Sequence, residues 1–211
     1  MSILPRSFYL RTDVLQIARD LLGKCLITRI NGFTTSGLIC EAEAYEGVTD
    51  RASHAYGGRI TKRTEIMYAR GGIAYVYLCY GMHSLFNVVT NETGIPHAVL
   101  IRGIIPVDGI PEMLHRAGKQ QIMNDLGIGP GKVARILGIH YSHSGLDLVE
   151  QRPDSQVSIW IEDSGVQINP ENIISGPRIG IDYAGDDAKL PYRFRVKNIY
   201  AKKNPDNAGF S

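Results

Sequence analysis

Two carboxylates one residue apart open the run Glu41-Ala42-Glu43-Ala44-Tyr45. In an extended chain the side chains alternate, so Glu41, Glu43 and Tyr45 share one face and Ala42 and Ala44 the other. A carboxylate on a half-buried strand can act as a general base, a metal ligand or a salt-bridge partner. The spacing does not choose between Glu41 and Glu43. Asp50 and Asp182 are the acids that could complete a divalent-metal site, but there is no tight acidic cluster, and no metal is expected. A basic, glycine-broken loop from Arg51 to Arg70 carries His54, and the run Tyr75-Val76-Tyr77 repeats the alternation with two tyrosines on one face. Acids, tyrosines and one histidine in this arrangement suit a flat, electron-poor ring.

Other residues suggest a grip on something anionic. Tyr80-Gly81 falls at a hairpin tip, where an aromatic has no core to fill and can protrude as an intercalating wedge does. Tyr45, Tyr75, Tyr77 and Tyr80 could instead be strand filler, which is the common role of aromatics in strands. The turn Gly127-Ile128-Gly129-Pro130-Gly131 before Lys132 would offer N–H groups to a phosphate at a helix N-terminus, or is an ordinary helix start. The basic residues of the 51–70 loop, with Lys189, Arg193, Arg195 and Lys197, are either solvated faces or a track for a nucleic-acid backbone.

These groups need a scaffold. The chain has 211 residues, enough for one α+β domain with a sizeable core. The formal net charge of +2 gives no global argument for nucleic acid. No apolar run approaches a membrane span, and the first residues lack the apolar segment of a signal peptide. Cys25, Cys40 and Cys79, an odd number without metal-type spacing, read as buried free thiols in a reducing compartment. A cytoplasmic location is therefore expected, nucleoid-associated in a bacterium. A helix capped by Thr12 or Asp13 runs to Leu22 and stops at Gly23. Asn31-Gly32 signals a hairpin. Residues 73–79, 85–90 and 97–106 read as strands. Three or four antiparallel strands around the motifs are expected, with a long loop over 47–70 and a helix over 111–126. A short helix follows over 132–137, and residues 158–162 form a further strand. The domain is expected over 1–200, curved sheet flanked by helices, with a loosely ordered tail at 201–211.

The segments Glu41–Tyr45, Ala52-Ser53-His54, Gly57-Gly58-Arg59, Tyr75–Tyr77, Tyr80-Gly81-Met82, Asn87, Gly129-Pro130-Gly131-Lys132 and Arg178-Ile179-Gly180 occur in one order over residues 5 to 200. Together they resemble the 3-methyladenine DNA glycosylases of the alkyladenine type, monofunctional enzymes of bacteria and vertebrates. The resemblance implies a single mixed α/β domain around an antiparallel sheet, without metal or organic cofactor. It implies Glu43 as the base that activates water, with Arg102 and the Ile179 carbonyl orienting that water. Tyr45, His54 and Tyr77 would wall the base pocket, and Asn87 would exclude the guanine amino group. Tyr80 would enter the duplex, with Gly81, Met82, Lys132 and Arg59 on the DNA. The loop between His54 and Gly71 departs from vertebrate members, which bears on substrate range more than on chemistry.

The expected partner is duplex DNA with a damaged purine, bound by a monomer. The expected reaction is hydrolysis of the N-glycosidic bond without nicking of the backbone, since no lysine lies in the Glu43 segment. The competing class is a non-catalytic RNA-binding module, whose tyrosines and basic loop would stack single-stranded bases. A metal-dependent nuclease is a third reading.

Overall fold

The computed structural model describes residues 2–152 and 154–197. Its N-terminal part holds a short strand β1 (Ser2–Ile3), a single turn α1 (Arg6–Tyr9) and helix α2 (Val14–Asp20). Asp13 caps α2, its carboxylate accepting from the Gln16 N–H at 2.9 Å. Ile17, Ala18 and Leu21 recur at helical spacing and are fully buried. Strands β2 (Cys25–Ile30) and β3 (Phe33–Tyr45) are joined at Asn31-Gly32, both with positive φ, as a tight two-residue hairpin requires.

The rest of the sheet comes from β4 (Ala74–Cys79), β5 (His83–Thr90), β6 (His97–Asp108), β7 (Val157–Asp163), β8 (Ile173–Gly176) and β9 (Arg193–Val196). Its order is β1-β7-β2-β3-β6-β5-β4, with β9 on β3 and β8 on β9, and all pairings among the described residues are antiparallel. The fold is α+β, as expected, with a curled sheet. Strand β3 is its pivot. Its first half pairs with β2, its whole second half with β6, and β9 takes the edge that β2 leaves.

The β3–β6 ladder is interrupted. Ile39 faces Ile104, Glu41 faces Gly103 and Ala42 faces Ile101, so Cys40 and Arg102 are each an extra residue in their own strand. Such bulges bend a strand and re-aim side chains. At Gly103 an added Cβ would come within 3.1 Å of both Glu41 Cβ and Cys40 Sγ, so a side chain there would require these neighbours to give by a few tenths of an ångström. Beyond the bulge Ala42 and Ala44 point into the core. Helix α3 (Ile110–Ala117) follows β6, and helix α4 (Pro130–Leu137) packs on β5 and β6 while α2 packs on β3. Ile17, Leu21, Leu26, Phe86, Ile101, Ile136 and Phe194 fill the space between helices and sheet. Each contributes about 1.5–3 kcal/mol by burial.

Four expectations need correction. The sheet has nine strands among the described residues, because β1, β8 and β9 are too short to show a period. The helix expected over 111–126 spans Ile110–Ala117 and ends where Gly118 turns left-handed, with φ +65°. The 47–70 loop contains two 3-10 turns, Tyr56–Gly58 and Glu65–Tyr68. Cys25 and Cys40 are buried free thiols, but Cys79 is part-exposed. The tail expected at 201–211 lies outside the described residues. Among those residues no helix is long and apolar enough to cross a membrane.

Candidate active site

The two strand acids, equivalent in spacing, have different partners. Glu43 has no exposed surface. Its Oε1 accepts from the Ile179 N–H at 2.9 Å and its Oε2 from the Tyr45 O–H at 2.8 Å. Glu41 instead accepts from Arg193 at 2.9 Å, and Arg193 also donates to the Pro177 carbonyl at 2.8 Å. Arg102, turned by the bulge, sets its Nε 3.3 Å from Glu43 Oε1 and 3.4 Å from Glu41 Oε1. That buried Nε completes no hydrogen bond with either acid. Burial pushes the Glu43 carboxyl above its usual range; Arg102, the Ile179 N–H and the Tyr45 hydroxyl oppose that, and Glu41 adds to it. A buried carboxylate with this set of donors suits proton abstraction near neutral pH.

The partners of Glu43 line a cavity of about 320 Å3, together with His54, Tyr77 and Asn87. The His54 and Tyr77 rings meet edge-on, centroids 4.7 Å apart at 80°. Tyr75 lies 5.5 Å behind Tyr77, and its hydroxyl shares a 2.8 Å hydrogen bond with His54 Nδ1. Tyr75 is thus more than filler: it fixes the histidine ring. Asn87 is buried, its amide nitrogen donating to the carbonyls of Tyr75 and Leu85 at 3.1 and 3.3 Å. Burial and the Arg63 charge lower the His54 pKa to about 4, so the ring is neutral at physiological pH.

Tyr80 lines the mouth of this cavity, is 87% exposed and has φ +50°. Ile179 and Tyr183 are the other exposed apolar residues of the rim. Gly81 and Met82 continue the hairpin tip beyond it. Arg59 and Lys132 stand apart from the cavity; the Lys132 ammonium pairs with Asp125 at 2.5 Å.

Some contributors had no signal in the spacing. Asp50, weighed as a metal ligand, holds Arg178 in a bidentate pair buried on both sides. Arg178 also donates to the Ala44 carbonyl at 2.9 Å and lies 4.7 Å from the Tyr45 ring centroid, so it backs the pocket wall. Asp182, the other acid weighed with it, is exposed. Arg63 reaches the cavity from the basic loop, 4.6 Å over Tyr77. Tyr183 follows the Arg178-Ile179-Gly180 segment closely enough that its place on the rim could have been anticipated.

Residues 7–199 match the family model described as methylpurine-DNA glycosylase (MPG). A Chlamydia felis protein provisionally named a 3-methyladenine DNA glycosylase is 48% identical over 203 residues, 95% of this chain and 100% of the relative. A Bacillus cereus protein with the same provisional name is 44% identical over 198 residues, 92% of this chain and 95% of its own. The chain belongs to the methylpurine-DNA glycosylase family.

Proposed function

We propose that the protein flips an alkylated or deaminated purine out of duplex DNA and hydrolyses its N-glycosidic bond with a water activated by Glu43. The observation that carries this is the buried Glu43 carboxylate, held by Ile179 and Tyr45 beneath an aromatic cavity with Arg102 at its side. A stacked base must leave the duplex for its glycosidic carbon to be reached, at a cost of a few kcal/mol. Tyr80 fills the gap, with Gly81 and Met82 beside it, and offsets part of that cost. Arg59 and Lys132 hold the distorted phosphate backbone.

In the cavity the base stacks between Tyr45 on one side and His54 and Tyr77 on the other. A nucleoside purine alkylated at N3 or N7 is cationic, and each good aromatic contact with it contributes roughly 0.5–2 kcal/mol. Asn87, clamped by two carbonyls, cannot swing aside for the guanine amino group. Glycosidic cleavage sends the bonding electron pair to the purine and leaves positive charge on the sugar. Water enters between Arg102 and Ile179, oriented by Arg102 and the Ile179 carbonyl. It bonds to C1′ and gives its proton to Glu43, whose charge also stabilises the sugar cation. Glu41 is held by Arg193 and serves structure. One chain supplies every group, so a monomer suffices.

The test is release of damaged bases from a panel of single-lesion duplexes in EDTA. Glu43→Gln is expected to lower the single-turnover rate by about 100-fold or more while lesion binding survives. Glu41→Gln should keep most of the rate; the reverse pattern would exchange the two roles. The cavity lining among the described residues includes no lysine, so borohydride should trap no covalent adduct with DNA.

A further inference from the structure

The aromatic cavity already contains a cation of its own. The Arg63 guanidinium lies 4.6 Å from the Tyr77 centroid and 3.0 Å from His54 Nε2, on two of the walls the base would use. Arg63 makes no ion pair with a carboxylate among the described residues. Because arginine only donates, the imidazole nitrogen that it contacts must accept, so the ring cannot carry both protons. The contact therefore requires the neutral imidazole, and the lowered His54 pKa agrees with that. Arg63 is carried by the loop before the 3-10 turn Glu65–Tyr68, anchored by Thr64, whose hydroxyl donates to the Arg59 carbonyl at 3.0 Å.

We infer that Arg63 is a specificity-determining residue that tilts the cavity from cationic purines toward neutral ones. The inference rests on the glycosylase reading above. The tyrosine faces attract a cationic ring, whereas a fixed positive charge on the same walls repels it. Neutral purines, such as hypoxanthine, present acceptor atoms to the guanidinium. Such a base departs with the bonding pair and becomes an anion, later protonated by water. Arg63 stabilises that charge by donation without giving up a proton, which it cannot do near neutral pH. The substrate range is then set by the opposition of Arg63 and the aromatic walls.

The experiment compares single-turnover excision at saturating enzyme from two duplexes, one with cationic 3-methyladenine and one with neutral hypoxanthine, neither of which carries the guanine amino group. Saturation removes any contribution of Arg63 to DNA affinity. Arg63→Gln keeps donors but loses the charge, and is expected to raise the ratio of cationic to neutral excision by about tenfold. Arg63→Lys should restore most of the original ratio. Equal changes on both duplexes would overturn the inference, because a side chain that leaves the cavity or grips a phosphate affects both lesions alike. A fall in the ratio would overturn it as well. A wild-type protein that releases neither base would instead remove the glycosylase reading itself.

Discussion

At the scale of single residues, Glu43 shows how the same side chain at the same strand face can acquire a different chemistry from its neighbour. Desolvation disfavours its charged form, and two hydrogen-bond donors and the Arg102 charge oppose that without cancelling it. The Tyr45 hydroxyl is the donor that can be removed without disturbing the wall, since phenylalanine keeps the ring. That hydrogen bond favours ionised Glu43, so its loss raises the Glu43 pKa further. The base works only when ionised; its activity is lost as pH falls through that raised pKa. Tyr45→Phe should therefore shift the acid limb of the pH–rate profile to higher pH. Excision should be about tenfold slower on that limb, and the two enzymes should converge at higher pH. An acid limb that stays in place would mean that Tyr45 serves stacking alone. Alternation along β3 was enough to put Glu41, Glu43 and Tyr45 together. The choice between the acids was not legible locally, because Arg193, which holds Glu41, lies 152 positions away in sequence.

At the scale of elements, the β4–β5 hairpin and the β3–β6 bulge do the positioning. The hairpin projects Tyr80 from its tip, in a left-handed conformation that costs an L-residue roughly 1–2 kcal/mol. A mostly exposed side chain gains nothing from the core in return, which fits a residue kept for contact outside the chain. Tyr80→Ser should leave the unfolding midpoint nearly unchanged. It should weaken base flipping, seen as loss of the fluorescence change of 2-aminopurine placed beside the lesion. A full fluorescence change in the variant would remove Tyr80 from base flipping. The bulge is the counterexample to local legibility. Strict alternation along β6 says nothing of where Arg102 points, because the extra residue changes the register and depends on close approach at Gly103. The helix expected over 111–126 failed for a local reason that was visible: Gly118 ends it as a left-handed cap.

At the scale of the whole molecule, the cavity is closed by segments far apart in sequence. The Asp50–Arg178 pair ties the loop after β3 to the segment that carries Ile179, and it backs Tyr45. Both side chains are buried, so removing one partner leaves an uncompensated charge, a loss of about 3–5 kcal/mol. Asp50→Asn should lower unfolding stability by that amount in denaturant melts. Excision should fall with it even under folding conditions, because Tyr45 and Ile179 lose their common support. Wild-type stability in that variant would show the pair to be dispensable to the fold. What the sequence by itself determined was the class of fold, the hairpins and the strand faces, because periodicity and turn chemistry act over a few residues. The ordered motifs added the family. What only the tertiary structure decided was which partners hold each acid, where Arg102 points, and that Arg63 lines the same cavity as His54 and Tyr77. Those depend on contacts between distant segments, and burial gives each contact its sign and strength.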